Sequence, residues 1–418
     1  MHRLLDFLNR WLVPFLTAVG ENPYMVAIRN GMVSVAPLTI LGGLFTAAVY
    51  LPIPGWESRI VPYSQLLQIP VTATFGLLAV FVCFSVAYEL AKQFGLEPPV
   101  SGSMATLVFL MIQIRREDLT LAMEGLGSQG LFTAILIALV CVAVQRAFHR
   151  ANLVIRLPRN VPPVVYESFV SLTPMIFLVV LFWSLRFGVG LDINAGIQKA
   201  FSPLLVALNT LPGILLFAFL VTLLWSVGIN GDNTLDAIVG AVFLQYLGAN
   251  VEAMSKGLPL PYITALGFFT TFVNVGGTGA TIALALVMLN SRDAGYRKIS
   301  RLSLPTQIFQ INEPIFFGFP IVLNPVFMVP YIVNALVLTT CSYLLMDWGL
   351  VRRPFVNVPW TTPPIFGHFL ATGGDWRAAV WGAVSILVAM AIYYPFARAA
   401  ERRGRGEGSH VGDLSARN

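Results

Sequence analysis

The sequence predicts an all-α polytopic membrane protein with about ten transmembrane helices, and three observations predict it. Of 418 residues, 56% are hydrophobic and only 11% charged, and the mean hydropathy of +0.76 is too apolar for a soluble domain of this size. Apolar stretches long enough to cross a bilayer recur along the whole chain. The basic residues behind the net charge of +6 gather in short segments between those stretches, which is the pattern of cytoplasmic loops and not of a nucleic-acid face.

The elements follow in order. Met1–Glu21 sets Phe7, Leu12, Phe15 and Leu16 against Arg3, Asp6 and Arg10, which predicts an interfacial helix lying in contact with lipid. No small-residue cleavage site follows it, as a signal peptide would require. Spans are then predicted at roughly residues 25–51, 72–93, 100–114, 128–148, 164–190 and 211–229. Further apolar stretches lie near 235–250, 262–290, 320–347 and 376–397. Arg115 and Arg116, then Arg146, Arg150, Arg156 and Arg159, then Arg292, Arg297, Lys298 and Arg301, and last Arg398, Arg402, Arg403 and Arg405 mark the cytoplasmic sides.

Residues 22–190 are mostly plain apolar helices and read as a scaffold and dimerisation half. Residues 191–212 carry Asp192, Gln198, Lys199, Ser202 and Pro203 between apolar positions, which suits an amphipathic connector along the membrane surface. Residues 213–400 are dense in Gly, Pro, Asn and acids and read as the transport half, and the polar stretch 401–418 as a disordered cytoplasmic tail. Cys83, Cys141 and Cys341 each stand alone in an apolar run, so neither a disulfide nor a metal site is expected, and no cofactor is called for.

Four segments of the second half carry polar chemistry. In QIFQINEPIFFGFP (Gln307–Pro320), Glu313 is a carboxylate enclosed by apolar sequence. Such a residue at bilayer depth costs several kcal/mol unless a cavity, partner or water receives it, so it is the leading functional candidate. Asn312 and Pro314 beside it suit a broken helix whose backbone groups face a cavity.

In WSVGINGDNTLD (Trp225–Asp236), paired glycines, asparagines and aspartates predict an unwound or kinked helix. Asp232 and Asp236 read either as a solvated or capping helix end or as proton relays. VGGTGAT (Val275–Thr281) suits close helix packing as well as it suits ligand binding through Thr hydroxyls. VPWTTPPIFGHFLATGG (Val358–Gly374) cannot be one continuous helix and predicts a hairpin or re-entrant loop. Trp360 in it suits stacking on a sugar ring or membership of an interfacial aromatic belt.

These segments, with NPYMVAIRNGMVSVAPLTILGGLF (Asn22–Phe45), LPRNVPPVVYESFVSLTP (Leu157–Pro174), INEPIFFGFPIVLNP (Ile311–Pro325) and LATGGDWR (Leu370–Arg377), resemble enzyme IIC of the bacterial sugar phosphotransferase system, in its lactose, cellobiose and diacetylchitobiose branch. The resemblance covers nearly the whole chain. It implies an inner-membrane homodimer of ten-helix protomers with two re-entrant hairpins and a cytoplasmic C-terminus. A sugar would bind near the midplane, move with the second half, and be phosphorylated on its 6-hydroxyl by a phosphocysteine on IIB. No segment after Glu401 reads as a IIB domain, so a separate IIB protein is the expected partner.

The substrate-binding candidates are then Asn230, Gly231, Gly277, Thr278, Asn312, Trp360, Thr361 and Thr362, with Glu313 as catalytic base. One departure stands out: the family usually has GIHG where this chain has Gly228–Gly231 with Asn230. Asparagine holds a hydroxyl but does not accept its proton at neutral pH. Either Glu313 alone serves as the base for a β-linked disaccharide permease, or the chain moves or senses free sugar, with Asp232 and Asp236 coupling protons. His368 reads either as a substitute for the missing histidine or as a hydrogen-bonded structural group.

Overall fold

The computed structural model describes residues 18, 21–50, 55–155, 169–319, 321–322 and 324–415, with side chains up to residue 402 except those of 57 and 61. The expected interfacial helix at 1–21, apart from Ala18 and Glu21, and most of the segment 157–174 lie outside the described residues.

Among the described residues the chain is almost entirely helical. The first half comprises α1 (Pro23–Ser34), α2 (Ala36–Val49), α3 (Ser64–Thr74), α4 (Leu78–Phe94), α5 (Pro98–Ile112), α6 (Leu131–Arg150) and α7 (Leu172–Trp183). Asn22 starts α1 by accepting the Tyr24 N–H at 2.9 Å, with proline at the first helical position. Gly95, at φ +67°, ends α4. Leu78, Val82, Val86 and Leu90 repeat at every fourth position of α4 and are wholly buried. They form the stripe on which α1, α5 and α6 pack. Ser101 donates to Gln145 Oε1 at 2.6 Å, and the Gln145 amide donates to Ser171 at 3.2 Å. The polar atoms facing inward there are thereby paired.

The segment expected as a connector forms α8 (Ile193–Leu208), capped by Asp192, whose side chain accepts the Ala195 N–H. It meets α9 (Leu211–Ser226) at 81°. Beyond these lie α10 (Gly231–Ser255), α11 (Phe268–Phe272), α12 (Thr281–Met288), α13 (Ala294–Ile308), α14 (Glu313–Gly318), α15 (Pro325–Asp347), α16 (Pro364–Ala371) and α17 (Trp376–Ser415). Here α17 packs on α12, α15 and α16. Between the two groups α10 packs on both α1 and α9, and Asn357 donates to Thr39 Oγ1 at 2.8 Å across the same boundary.

Seven helical stretches among the described residues are long and apolar enough to cross a membrane, or eight if the bent α8–α9 pair is one span. The chain is a multi-pass membrane protein. Two further predicted stretches give apolar helices shorter than that measure requires. The stretch at 100–114 yields only the 15-residue α5. The stretch at 262–290 breaks at its glycines into α11 and α12. At the other end, Glu401 is not the start of an unstructured tail. It is buried on α17, accepting from Ser291 Oγ at 2.5 Å and Arg398 at 2.9 Å.

Asn250 braces three segments of the second half. Its amide donates to Tyr262 O and Pro354 O, each at 2.8 Å, and its Oδ1 accepts the Tyr262 N–H at 2.9 Å. Asn250→Ala strands buried backbone groups and is expected to cost about 2–4 kcal/mol. A clearly lowered unfolding temperature of the detergent-solubilised protein checks this; an unchanged one contradicts it.

Candidate functional site

Residues 271–285 are buried without exception, yet between α11 and α12 they are not α-helical, only a short 3-10 turn forming at Thr278–Ala280. Positive φ angles occur at Gly276 (+70°), Gly277 (+104°), Gly279 (+72°) and Ala280 (+54°). At Gly277 two constraints coincide: the left-handed backbone favours glycine, and a Cβ would strike the Asn312 side chain. Buried backbone of this kind must find partners within the protein. Gln310 Oε1 accepts the Gly277 N–H at 3.0 Å, and the Asn312 amide donates to Thr278 O at 3.1 Å. The Tyr393 hydroxyl donates to Gly279 O at 2.8 Å.

Asp232, in the first turn of α10, ties a second segment to this glycine turn. Its Oδ2 accepts from Trp225 Nε1 at 2.8 Å and Thr278 Oγ1 at 2.9 Å, and its Oδ1 accepts from Asn274 Nδ2 at 3.2 Å. Trp225 packs edge-on against Phe316 of α14, with centroids 5.2 Å apart. Three of the four polar segments thus form one cluster: the end of α9 with the start of α10, the glycine turn, and the turn that opens α14.

Asn230 is the N-cap of α10, its Oδ1 accepting the Asn233 N–H at 2.9 Å. Asparagine is among the best residues for that role. Its Nδ2 donates to no group among the described residues. Gly231 is buried where a Cβ would strike the Val221 backbone, so it serves the close approach of α9 and α10.

Asn312 is buried, but Glu313 is exposed and makes no hydrogen bond or ion pair among the described residues. The enclosure expected from its apolar neighbours is not found. Within α14 the buried positions are Ile315 and Phe316, which leaves Glu313, Pro314 and Phe317 together on the open face.

The fourth segment is not drawn into the cluster by any hydrogen bond among the described residues. Trp360 is 60% exposed, and Thr361 and Thr362 sit beside it in a turn closed by Thr362 N–H to Pro359 O. His368 is fully buried, pairs through Nδ1 with Pro364 O at 2.5 Å, and meets the Phe272 ring edge-on at 4.5 Å. Those contacts are of the structural kind and lie on α16 and α11, not at Asn230. Asp236 faces α1, within electrostatic reach of Arg29 and Asp232. A shallow groove along α3, lined by Gln65, Ile69 and Thr72 among others, includes none of these residues.

Trp225, Asn274, Gln310 and Tyr331 are cluster residues that sequence reasoning passed over. Trp225 stands seven positions before Asp232, two turns away on an unbroken helix. Asn274 immediately precedes the VGGTGAT motif, and Gln310 lies unremarked inside the Gln307–Pro320 segment. Tyr331, buried on α15, lies against Gly279 of the glycine turn and Phe316 of α14, and carried no signal beyond its apolar surroundings.

Comparison with known proteins agrees with this architecture. The sequence profile described as "Phosphotransferase system, EIIC" matches residues 29–335. The lichenan permease IIC component of Bacillus subtilis (strain 168) is 34% identical over 95% of this chain and 94% of its own length. The cellobiose-specific EIIC component of Geobacillus stearothermophilus is also 34% identical, over 95% of this chain and 94% of its own. Among solved structures, the transporter ChbC, the IIC component from the N,N'-diacetylchitobiose-specific phosphotransferase system, superposes with a TM-score of 0.90 at 31% identity. That match covers 96% of this chain and 99% of the other. With a shared fold, whole-length similarity and a family match across most of the spans, the chain belongs to the EIIC permease family of the sugar phosphotransferase system.

Proposed function

We propose that this EIIC translocates a β-linked disaccharide of the cellobiose or diacetylchitobiose kind and presents its 6-hydroxyl to a separate IIB protein carrying a phosphocysteine. The observation that carries the reading is the convergence of three polar turns beside two uncommitted groups, the Glu313 carboxylate and the Asn230 amide nitrogen. Relatives named for lichenan, cellobiose and diacetylchitobiose supply the substrate class.

In this reading Glu313 takes the hydroxyl proton as the phosphorus–sulfur bond breaks and the phosphorus–oxygen bond forms. Positioning supplies most of the remaining rate in phosphoryl transfer. Asn230 orients the hydroxyl, Thr278 and Asn312 line the same side, and Trp360 with Thr361 and Thr362 closes on the sugar from the hairpin. Residues 22–190 serve as the scaffold of a homodimer and residues 213–400 as the moving half, in a bacterial inner membrane with the C-terminus cytoplasmic. Movement of unmodified sugar would draw support from Asn230 standing where the family usually has histidine. The capping bond of Asn230 to Asn233 gives that substitution a local reason and weakens the argument.

The test is uptake of labelled cellobiose by right-side-out vesicles with and without IIB. Sugar phosphate that depends on IIB supports the proposal, and free sugar that follows the proton gradient overturns it. In the same assay Glu313→Gln is expected to lower phosphorylation by about 10²-fold or more, with the protein still folded. Unchanged phosphorylation removes Glu313 from the chemistry. Asn230→His is expected to raise the rate by adding a base, against a capping loss of about 1 kcal/mol read from thermal unfolding. Gly277→Ala forces a Cβ onto Asn312 at a positive φ, and sugar affinity is expected to fall at least about tenfold. Parental affinity in that variant would mean that Asn312 does not need its present place.

A further inference from the structure

We propose that Asp232 is the positioning residue of the sugar site, acting through the geometry of its two oxygens and not through its charge or a transferred proton. The three donors that converge on it come from three different places: Trp225 at the end of α9, Asn274 at the end of α11, and Thr278 in the glycine turn. A group that only accepts is their natural complement. The donors are all neutral, and no cation lies within ion-pair distance of Asp232 among the described residues. Its charged neighbour on α10 is Asp236, one turn along, which faces Arg29 of α1.

What Asp232 holds is the hinge point of the cluster. Thr278 gives its hydroxyl to Asp232 and its carbonyl to Asn312. The preceding Gly277 N–H goes to Gln310. Releasing Thr278 from Asp232 therefore loosens the turn on which Asn312 and the adjoining Glu313 are registered, although among the described residues Asp232 hydrogen-bonds to neither.

Asn274 spends its amide nitrogen on Asp232, and its Oδ1 is buried with no partner among the described residues. An asparagine at 232 can keep its oxygen in the place of Oδ2, accepting from Trp225 and Thr278. Its nitrogen then lies opposite Asn274, whose amide has only to turn over to present the orphaned oxygen. The exchange preserves all three bonds and removes the charge. A glutamate keeps the charge, but its extra methylene pushes the oxygens out of register with donors fixed on three elements.

The inference rests on the sugar reading for its affinity test but not for its structural one. The full chain in nanodiscs is titrated with cellobiose and with diacetylchitobiose, and hydrogen–deuterium exchange is followed across residues 273–281. Asp232→Asn is expected to bind sugar within about threefold of the parent with unchanged exchange, and Asp232→Glu at least about tenfold more weakly with faster exchange. Loss of binding in Asp232→Asn overturns the proposal whatever Asp232→Glu does, because the charge is then in use. Parental binding and exchange in both variants also overturn it. If the parent itself binds neither sugar, the substrate reading fails, and the exchange pattern alone decides whether Asp232 holds the turn.

Discussion

Backbone that leaves the helix inside a closely packed bundle has to be hydrogen-bonded by the protein itself, because neither lipid nor bulk water is there to do it. In this chain that constraint falls on residues 273–280, buried throughout and turned four times through positive φ. Gln310 and Asn312 from the turn before α14 and Tyr393 of α17 meet it at the backbone, and Asp232 of α10 holds the same segment through the Asn274 and Thr278 side chains. Satisfying one irregular segment thereby brings together the start of α10 and the start of α14. The polar turns are neighbours because each completes the hydrogen bonding of another.

The surrounding helices make that arrangement rigid. In a membrane the inward stripe of α4 gains little from leaving lipid, so its fit against α1, α5 and α6 rests on close packing and paired polar atoms such as Ser101, Gln145 and Ser171. α10 joins this body to the second one, carrying Asp236 toward α1 on one side and Asp232 toward the glycine turn on the other. An acid at each of two successive turns of a single helix therefore serves two different neighbours. Any displacement of the second half against the first would be felt along α10 and at the Asn357–Thr39 contact.

Much of this was legible in the sequence. Hydropathy and the distribution of arginines fixed the class, and the polar segments were conspicuous because Gly, Pro, Asn and acids are costly in apolar helices. What lay beyond reach were relations between segments. Trp225 and Asp232 are seven residues apart, but the chain unwinds between them, so helical spacing does not reveal that they touch. Asn274, at the margin of one motif, and Gln310, unremarked inside another, are in fact braces. Glu313 was expected to be enclosed because its neighbours in sequence are apolar. The short helix it begins turns Ile315 and Phe316 inward and leaves the carboxylate on the open face. Helix ends were less legible: the stretch at 100–114 became the 15-residue α5, that at 262–290 became α11 and α12, and α8 and α9 meet at a sharp bend, since composition does not report where a helix stops.

The central claim is that these three turns together form the wall of a carbohydrate site. A structure of the chain determined with cellobiose bound tests it most directly. The account predicts the sugar in contact with Asn230, Thr278 and Asn312, with one hydroxyl against Glu313. Density for the sugar elsewhere, with Glu313 turned away from it, would contradict the account.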